Sequence, residues 1–488
     1  MKKALLFIAI SLATFMMVLD YSIANVSIPY IAGSLAVSYE EGTYAITSFA
    51  VGSSIGIALT SWLVKRFGEI RTFLVSIALF TFFSWACGAS YSLAMFVINR
   101  FLQGIVSGPL IPLSNTLIIR LGTEKERTRN LTIWSVIIIV APVIGPILGG
   151  YISDWHEWPW IFYINIPIGA FCFFVIWSQM RAKESPLENV PSDYVGMFLL
   201  SLSVTCLQIF LDKGQQWDWF NSNLIIVLFI TTIISCIYFI IWELNVPHPL
   251  INLRLFQSPT FFLSILGIAT AYAIYFGTVV TLPIWLQKYM NYNAEWAGLA
   301  VCFLGVPSLM LFYIGPSIIK KIGEVFSLVI TFFLFAISSF YTAFVFTTEV
   351  NFFHVAFSRF LFGLGLILFI APLLGLSSKG INEKDLPSST SLFHFIRALM
   401  GGVGTSVFTT IFYRRTIFHH ERIGSSFSAL NPITPRISAE KPLAIWDSLL
   451  EKEASLLAIN EVFYLMGILF LALIVIFSAS KIYVKNSG

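Results

Sequence analysis

Long apolar runs alternate with short polar segments along nearly the whole chain. The first run, residues 5–29, reads LLFIAISLATFMMVLDYSIANVSIP and exceeds the roughly 20 apolar residues that cross a bilayer as a helix. The same reading of hydropathy predicts fourteen membrane-spanning helices. Their predicted bounds are 5–29, 44–64, 72–90, 93–119, 130–152, 159–180, 194–211, 222–243, 260–286, 294–318, 325–346, 353–376, 389–412 and 459–482.

Composition narrows the class of protein. Of the 488 residues, 57% are hydrophobic and only 11% are charged, and the mean hydropathy is +0.84. Because soluble domains contain about 25% charged residues, we predict an all-α polytopic membrane protein. No basic tract indicates a nucleic-acid partner. The five cysteines lie in apolar runs without metal-ligand spacing, so neither a disulfide set nor a metal site is expected.

The distribution of lysine and arginine predicts the orientation in the membrane. With the N-terminus inside, the inner segments carry 18 of these residues, whereas the short outer loops carry two. Positive residues favour the cytoplasmic side, so both termini are expected in the cytoplasm. Segment 413–458 is then a long periplasmic loop. Its positive residues do not argue against this side, because long loops are translocated largely regardless of their charge. It is too long for a plain connector, and we expect it to be a docking surface.

Two pairs of segments repeat weakly between the halves of the chain. SWLVKRFGEIRTF in span two resembles GPSIIKKIGEVFS in span ten, and NRFLQGIVSGPLIPL in span four resembles SRFLFGLGLILFIAPL in span twelve. Such repeats are typical of transporters that bind substrate between two halves. We expect an N-terminal six-helix bundle over 1–180, two inserted helices over 181–253 and a C-terminal six-helix bundle over 254–488.

One carboxylate, Asp20, lies deep in the first span. It is roughly 14 Å along the helix from Pro29, and Arg100 lies roughly 10 Å from the same face of the membrane. These similar depths make a direct or water-bridged pair feasible. Because an ionisable group in hydrocarbon is costly, it is by default a candidate functional site. One interpretation is a proton switch that couples protonation to motion of the halves; the other is a fixed ion pair that ties two helices together.

Span five contains the segment APVIGPILGGY at 141–151. Its small residues let helix backbones approach closely, and its prolines interrupt helical hydrogen bonding. We interpret it as a flexing seam between the halves, with ordinary small-residue packing as the alternative. The residues concerned are Pro142, Gly145, Pro146, Gly149 and Gly150.

Further candidate residues lie in other spans and in one inner loop. Gly68 suits a tight inner turn, beside basic residues that either take part in gating or only anchor the chain at the inner face. His394 and Arg397 are three residues apart and share a helix face, so they either line the substrate cavity or have polar structural partners. Asn25 and Gln103 are further candidates for the cavity.

Motifs of energy-coupling enzymes are missing from the sequence. No GxxxxGK[ST] phosphate-binding loop occurs, which argues against ATP-driven transport. No catalytic Ser/His/Asp set stands out within the spans, so an enzyme is not expected. An ion gradient is therefore the expected energy source, and no cofactor is expected.

Several segments give the chain a resemblance to a known family over nearly its whole length. The family consists of the fourteen-helix drug:proton antiporters of the major facilitator superfamily. Its first-helix motif resembles VLDYSIANVSIP, and its fourth-helix motif resembles NRFLQGIVSGPLIP. Its antiporter motif resembles APVIGPILGG, and the start of its sixth helix resembles WPWIFYINIPIG. Five further segments resemble the EmrB-like branch of that family. They are LDKGQQWDWFNSN, PHPLINLRLF, NAEWAGLA, FHFIRALMGGVGTS and FHHERI.

This resemblance implies export of hydrophobic toxic compounds across a Gram-negative inner membrane in exchange for protons. It also implies an EmrA-like periplasmic adaptor and a TolC-like outer-membrane channel as partners. It carries the proton role to Asp20, the coupling role to Arg100, and gating to Gly145, Gly149 and Gly150.

The chain departs from the broader family pattern in two places. Ser61 and Lys65 stand where Gly and Asp are usual, so Glu69 is the remaining candidate for the loop carboxylate. No second acid occurs in span thirteen, which favours Asp20 as the main proton site. Two other functions are considered: a dedicated exporter of one metabolite or siderophore, and a non-transporting receptor or scaffold.

Overall fold

The structure, a computed structural model, describes residues 2–121, 124–181, 184, 193–247, 249–311, 314–382, 385–425 and 443–486. These residues form helices and their connections, and no strand occurs among them. Twelve of the described helices are long and apolar enough to cross a membrane. The other two predicted spans, 130–152 and 294–318, also fall on helical segments, so the fourteen-span arrangement agrees with the fold.

Among the described residues, the chain up to residue 180 forms nine helices, which we call the N-terminal bundle. They are α1 (Lys2–Ser34), α2 (Tyr39–Gly42), α3 (Tyr44–Phe67), α4 (Glu69–Gly88), α5 (Leu93–Ser107), α6 (Leu110–Leu121), α7 (Glu124–Trp155), α8 (Trp160–Tyr163) and α9 (Asn165–Met180). The fourth predicted span is split between α5 and α6 at Pro109, which has no N–H to continue the helical hydrogen bonds. We call the end of the molecule that contains the C-terminus of α1 the outer end.

We call α10 (Tyr194–Lys213) and α11 (Asn223–Asn245) the inserted pair. The described residues that follow form nine further helices, which we call the C-terminal bundle. These are α12 (Pro259–Tyr289), α13 (Ala294–Cys302), α14 (Val306–Met310), α15 (Gly315–Ile322), α16 (Glu324–Val345), α17 (Phe352–Leu366), α18 (Ile370–Ser378), α19 (Leu386–Gly424) and α20 (Leu443–Asn486). The tenth predicted span is broken into α13, α14 and α15. A proline lies in the first turn of both α14 and α15, where its missing N–H costs nothing.

The outer ends of α19 and α20 extend into segment 413–458, where we expected a loop. α19 continues to Gly424 and α20 begins at Leu443, so the expected loop was too long. Its centre, 426–442, lies outside the described residues. Polar pairs join α19 and α20 at this end: Arg415 Nη2 donates to Glu461 at 2.8 Å, and His420 Nε2 lies 3.1 Å from an Asp447 oxygen. Charged residues lower the hydropathy, so the predicted spans stopped before them. In the structure these residues instead hold α19 and α20 together.

The two bundles meet through apolar side chains near the outer end. Ile28 of α1, Ile46 of α3, and Val280 and Ile284 of α12 form one buried cluster. The inserted pair packs beside this junction, because α10 contacts α3 of one bundle and α19 of the other. α11 lies against α10 and exposes a broad apolar face, as expected of a helix in contact with lipid.

α3 and α5 cross at very short range because both carry glycine at the contact. A Cβ on Gly52 would collide with the carbonyl of Phe101, and a Cβ on Gly104 would collide with the carbonyl of Phe49. Small residues allow such close approach between helices in a membrane. The crossing brings Arg100, one turn before Gly104, against the backbone of α3.

Replacing Gly52 with alanine should therefore destabilise the protein, because the added methyl forces two backbones apart. We expect the free energy of unfolding to fall by about 1–3 kcal/mol, as in other overpacked cores. Thermal unfolding of the purified protein in detergent measures this change. Gly33→Ala is the matched control, since no heavy atom lies within 4 Å of its added Cβ. Equal unfolding temperatures for the two variants would contradict the close crossing.

Candidate functional site

Asp20 lies in α1 inside the N-terminal bundle, and its side chain is fully buried. Arg100 Nη1 donates to one carboxylate oxygen at 2.6 Å. Asn165 Nδ2 and Gln103 Nε2 donate to the other oxygen at 2.8 and 3.3 Å. The pairing of Asp20 with Arg100 is thus direct, as their similar depths suggested, and three donors surround the carboxylate.

Arg100 is also fully buried and is fixed by several partners besides Asp20. Its Nε donates to the carbonyl of Ala45 at 2.9 Å, which fastens it to α3. Its guanidinium lies over the rings of Phe49 and Phe162, 4.4 and 5.2 Å from their centroids. Its Nη2 has no hydrogen-bond partner among the described residues. The pair is therefore held away from solvent, where the two charges depend strongly on each other.

Four helices converge on this carboxylate. Arg100 and Gln103 are three residues apart on α5 and share one face. Asn165 is the first residue of α9, whose N-terminal dipole favours a nearby negative charge. Ser84 of α4 accepts hydrogen bonds from Gln103 at 2.7 Å and from Asn165 at 3.4 Å. Sequence reasoning missed Asn165 and Ser84, and the only signal for Asn165 was a polar residue inside the apolar run WPWIFYINIPIG.

Two of the residues expected in the substrate cavity lie elsewhere or deeper than expected. Gln103 belongs to the carboxylate site, because it faces the same way as Arg100, and it is fully buried. Asn25 lies further along α1 toward the outer end and is only 2% exposed. The Oδ1 atom of Asn25 has no partner within the described part of the chain.

His394 and Arg397 lie on α19, in the first third of the candidate membrane span Ser388–Gly424, and are partly exposed. The Arg397 guanidinium lies over the ring of Tyr272, 5.3 Å from its centroid. Neither Arg397 Nε nor His394 Nδ1 has a hydrogen-bond partner among the residues described. The polar structural partners of the alternative interpretation are therefore not found there.

Helix α7 uses its small residues on two faces. On one face, a Cβ on Gly145 would collide with Ser22, and a Cβ on Gly149 with the carbonyl of Ile23, both in α1. On the other face, a Cβ on Gly150 would collide with the carbonyl of Ala294 in α13. Helix α7 therefore packs tightly against the helix that carries Asp20 and against the C-terminal bundle at the same time.

The prolines of this segment lie on the same two-sided helix. α7 continues without a break through Pro142 and Pro146. The carbonyl of Pro146 lies where a Cβ on Gly298 of α13 would collide with it, so Pro146 belongs to the face that meets the C-terminal bundle. The expected seam between the halves thus contains a close contact of small residues on both sides.

Polar contacts also join the bundles at the outer end. Asp154, near the end of α7, accepts hydrogen bonds from the backbone N–H groups of Ala294 and Glu295 at 3.2 and 2.7 Å. Ala294 and Glu295 are the first two residues of α13. Gln287 Nε2 of α12 donates to the carbonyl of Val26 in α1 at 2.9 Å. These contacts close the space between the bundles at this end of the molecule.

A second membrane carboxylate, Asp212 of α10, was not among the predicted site residues. It accepts hydrogen bonds from Thr47 Oγ1 at 2.7 Å, from Gln208 Nε2 at 2.8 Å, and from the hydroxyl of Ser406. Thr47 belongs to α3 and Ser406 to α19, so this carboxylate bridges both bundles. An acid at the end of a predicted span is usually solvated, and the sequence alone gave no reason to treat this one differently.

The inner turn between α3 and α4 is built around Gly68. Its φ of +92° suits glycine, and a Cβ there would collide with the carboxylate of Glu184. Glu184 accepts the N–H groups of Ile70 and Arg71, both at 2.9 Å, and so caps the start of α4. Glu69, the candidate loop carboxylate, forms an ion pair with Arg120.

Known proteins with similar sequences are membrane transporters, as the helical fold and the buried ion pair suggest. Residues 10–405 match the Major Facilitator Superfamily. The chain is 40% identical over 486 residues to the multidrug export protein EmrB of Haemophilus influenzae, covering 98% of this chain and 95% of the relative. It is 36% identical over 484 residues to the fatty acid resistance protein FarB of Neisseria gonorrhoeae, covering 97% and 95%.

A solved structure supports the same fold. The crystal structure of tetrameric PepTSo2 aligns with a TM-score of 0.67 at 12% identity and covers 100% of both chains. At this identity the likeness concerns the fold alone. The chain therefore belongs to the major facilitator superfamily and, within it, to the EmrB-like transporters.

Proposed function

We propose that this protein is a proton-coupled antiporter that exports lipophilic toxic compounds across a bacterial inner membrane. The observation that carries the proposal is the ion pair between Asp20 and Arg100, which is fully buried inside one bundle. The relative from Haemophilus influenzae is named a multidrug export protein. That name favours a multidrug exporter over a dedicated exporter of one metabolite or siderophore, and membership of a transporter family argues against a non-transporting receptor.

The proposed switch follows from the energetics of a buried ion pair. Protonation of Asp20 would leave the charge of Arg100 uncompensated, and such a loss costs about 3–5 kcal/mol. The sealed arrangement is therefore favoured while Asp20 is ionised and disfavoured once it is protonated. Protonation then shifts the population toward an arrangement in which Arg100 reaches water or another acceptor.

Helix α7 is the element that we propose to carry this change to the other bundle. Its glycines contact α1 on one face, within two or three residues of Asp20, and α13 on the other. A shift of α1 against α7 cannot be absorbed at the contact, because the backbones already touch. We therefore expect α1, α7 and α13 to move together when the bundles rock.

The contacts that close the outer end support assigning this arrangement to one state of the transport cycle. The bundles are joined at the outer end through Asp154 and Gln287, and we propose that the space between them opens toward the inner side. We propose that the ionised pair represents the state after proton release to the cytoplasm, ready to take up cargo. Opening of the outer end would release the cargo and expose Asp20 to protons from outside.

The inserted pair is proposed to guide this opening. Asp212 bonds to Thr47 in one bundle and to Ser406 in the other, so these partners must separate when the outer end opens. The carboxylate can keep only one of the two during that motion. In the proposed cycle, the inserted helices thus stay bonded to one bundle while the other bundle moves away.

The proposed assembly extends beyond this chain. We propose that both termini lie in the cytoplasm and that the outer extensions of α19 and α20 lie on the periplasmic side. We propose that they contact an EmrA-like adaptor, which connects to a TolC-like outer-membrane channel. The support is geometric: pairs such as His420 with Asp447 join the two helices beyond the predicted spans 389–412 and 459–482, where a partner can reach them.

Replacing Asp20 with asparagine tests the proton role. The variant keeps the shape of the side chain but cannot ionise, so we expect normal insertion and loss of drug-stimulated proton release. Proteoliposomes with an imposed pH gradient and a panel of lipophilic drugs measure both export and proton flux. Asp218→Asn, which removes an exposed acid of the outer connection, should behave like the parent protein. Coupled export by the Asp20→Asn variant would contradict the proposal.

A disulfide across the outer end tests the proposed rocking motion. Cysteines at Asp154 and Glu295, in a Cys236→Ser background that removes the exposed native thiol, should cross-link because the two residues touch. Oxidation should hold the outer end closed and stop export, and a reductant should restore it. Each single-cysteine variant is the control. If cross-linked protein exported drugs at the rate of reduced protein, the outer end would not be the gate.

A further inference from the structure

Two carboxylates face each other at the inner end of the inserted pair. Asp193 directly precedes α10, and Glu243 lies in the last turn of α11. Lys213, at the opposite end of α10, forms an ion pair with Glu41 at the outer end of the molecule, so Asp193 lies at the inner end. This pair of acids is separate from the site around Asp20, and no step of the proposed cycle uses it.

One oxygen of each acid already has hydrogen-bond donors. Asp193 Oδ1 accepts from the backbone N–H of Gly196 at 2.8 Å and from Trp242 Nε1 at 2.7 Å. Glu243 Oε2 accepts from the backbone N–H of Ile251 at 3.1 Å. Ile251 belongs to the connection between α11 and α12. The two acids therefore join the helices of the inserted pair to each other and to the connection that leads into the C-terminal bundle.

The other oxygen of each acid borders one small space without a donor. A Cβ on Gly196 would lie 2.4 Å from Asp193 Oδ2 and 2.6 Å from Glu243 Oε1, so both oxygens are close to the same point. Neither oxygen has a hydrogen-bond partner among the described residues, and Glu243 is only 2% exposed. Two groups that can only accept hydrogen bonds thus face each other, unless one of them carries a proton.

The charged groups around this pair do not neutralise it. In the described part of the chain, no lysine or arginine forms an ion pair with either acid. Arg254 Nη2, in the same connection, donates to the carbonyl of Leu244 at 3.2 Å. Asp385, directly before α19, accepts from Asn252 at 3.3 Å. His248, also in the connection, lies outside the described residues.

We infer that Asp193 and Glu243 form a second proton-binding site, in which one proton is shared between Oδ2 and Oε1. Two carboxylates that share a buried site do not both stay ionised, because each charge disfavours the other. A single proton provides the missing O–H donor, and a hydrogen bond from a carboxylic acid to a carboxylate is one of the strong ones. A divalent cation suits the pair less well, because Mg²⁺ and Ca²⁺ take about six or more oxygen ligands.

The shared proton controls how the inserted pair is fastened to the C-terminal bundle. Once the proton is lost, two negative charges face each other and push the acids apart. Glu243 then cannot keep its hydrogen bond to Ile251 in the same geometry, so the connection to α12 is held less firmly. This consequence depends on the acidity at the inner end and not on the proposed antiport.

Thermal unfolding of the full chain in detergent at about pH 5.5 and about pH 8.5 tests this inference. Ordinary carboxylates have a pKa of about 4 and are ionised at both pH values. The folded protein holds the shared proton in this range whereas the unfolded chain releases it, so stability should fall as the pH rises. We expect the unfolding temperature of the parent protein to decrease by about 2 °C or more between the two values.

Variants that remove one charge assign this decrease to the pair. Glu243→Gln and Asp193→Asn keep the shape of the side chain, and each amide provides an N–H donor in place of the proton. Each single variant should remove the same part of the decrease, and the double variant should remove no more, because only one proton is shared. Glu349→Gln, which removes an exposed acid, and His248→Gln should both leave the decrease unchanged. If one single variant fails to fold, the other decides the question.

Four results would overturn the inference. They are an unchanged decrease in both single variants, additive losses in the double variant, loss of the decrease in His248→Gln, and stabilisation by millimolar Mg²⁺ of the parent protein but not of Glu243→Gln. The last result would indicate a cation site instead. None of these measurements involves transport, so failure of the antiport proposal, which would appear as coupled export by Asp20→Asn, is distinguishable from them.

Discussion

Two opposite charges enclosed in the membrane interior set the main constraint on this fold. Asp20 and Arg100 are both fully buried and 2.6 Å apart, so neither can change its charge without affecting the other. The surrounding structure serves this pair. Glycines at the crossing of α3 and α5 let Arg100 reach a carbonyl of α3, and amides from α5 and α9 complete the hydrogen bonding of the carboxylate. The arrangement is stabilised while both charges are present and destabilised when one of them is removed.

The rest of the molecule connects this pair to the motion of two bundles. Helix α7 touches α1 on one glycine face and α13 on the other, and the outer end is closed by Asp154. Asp212 of the inserted pair bonds to both bundles. Both bundles bury an arginine: Arg100 pairs with Asp20, whereas Arg359 forms no ion pair among the described residues. The two bundles thus share a fold and differ in how they hold this buried charge.

Much of this arrangement could be predicted from the sequence because membrane helices leave long apolar runs. The spans, the family, and the similar depth of Asp20 and Arg100 followed from hydropathy and motif position. The orientation of side chains about each helix did not, so Gln103 was expected in the cavity although it faces Asp20. Ser84 and Asn165 carry no charge and gave little signal. The predicted spans stopped short of the outer parts of α19 and α20, because polar pairs such as His420 with Asp447 form only after both helices are in place. The role of Asp212 depends on Ser406, 194 residues away, which no local pattern could indicate.

The proposed exchange of a proton for cargo depends on the protonation state of Asp20, and infrared difference spectroscopy measures that state most directly. Acidification of the purified transporter should produce a carboxylic C=O band that is missing from the Asp20→Asn variant, and addition of an exported drug should remove it. A band that persists in Asp20→Asn, or one that does not respond to drug, would contradict the claim that this carboxylate exchanges its proton for cargo.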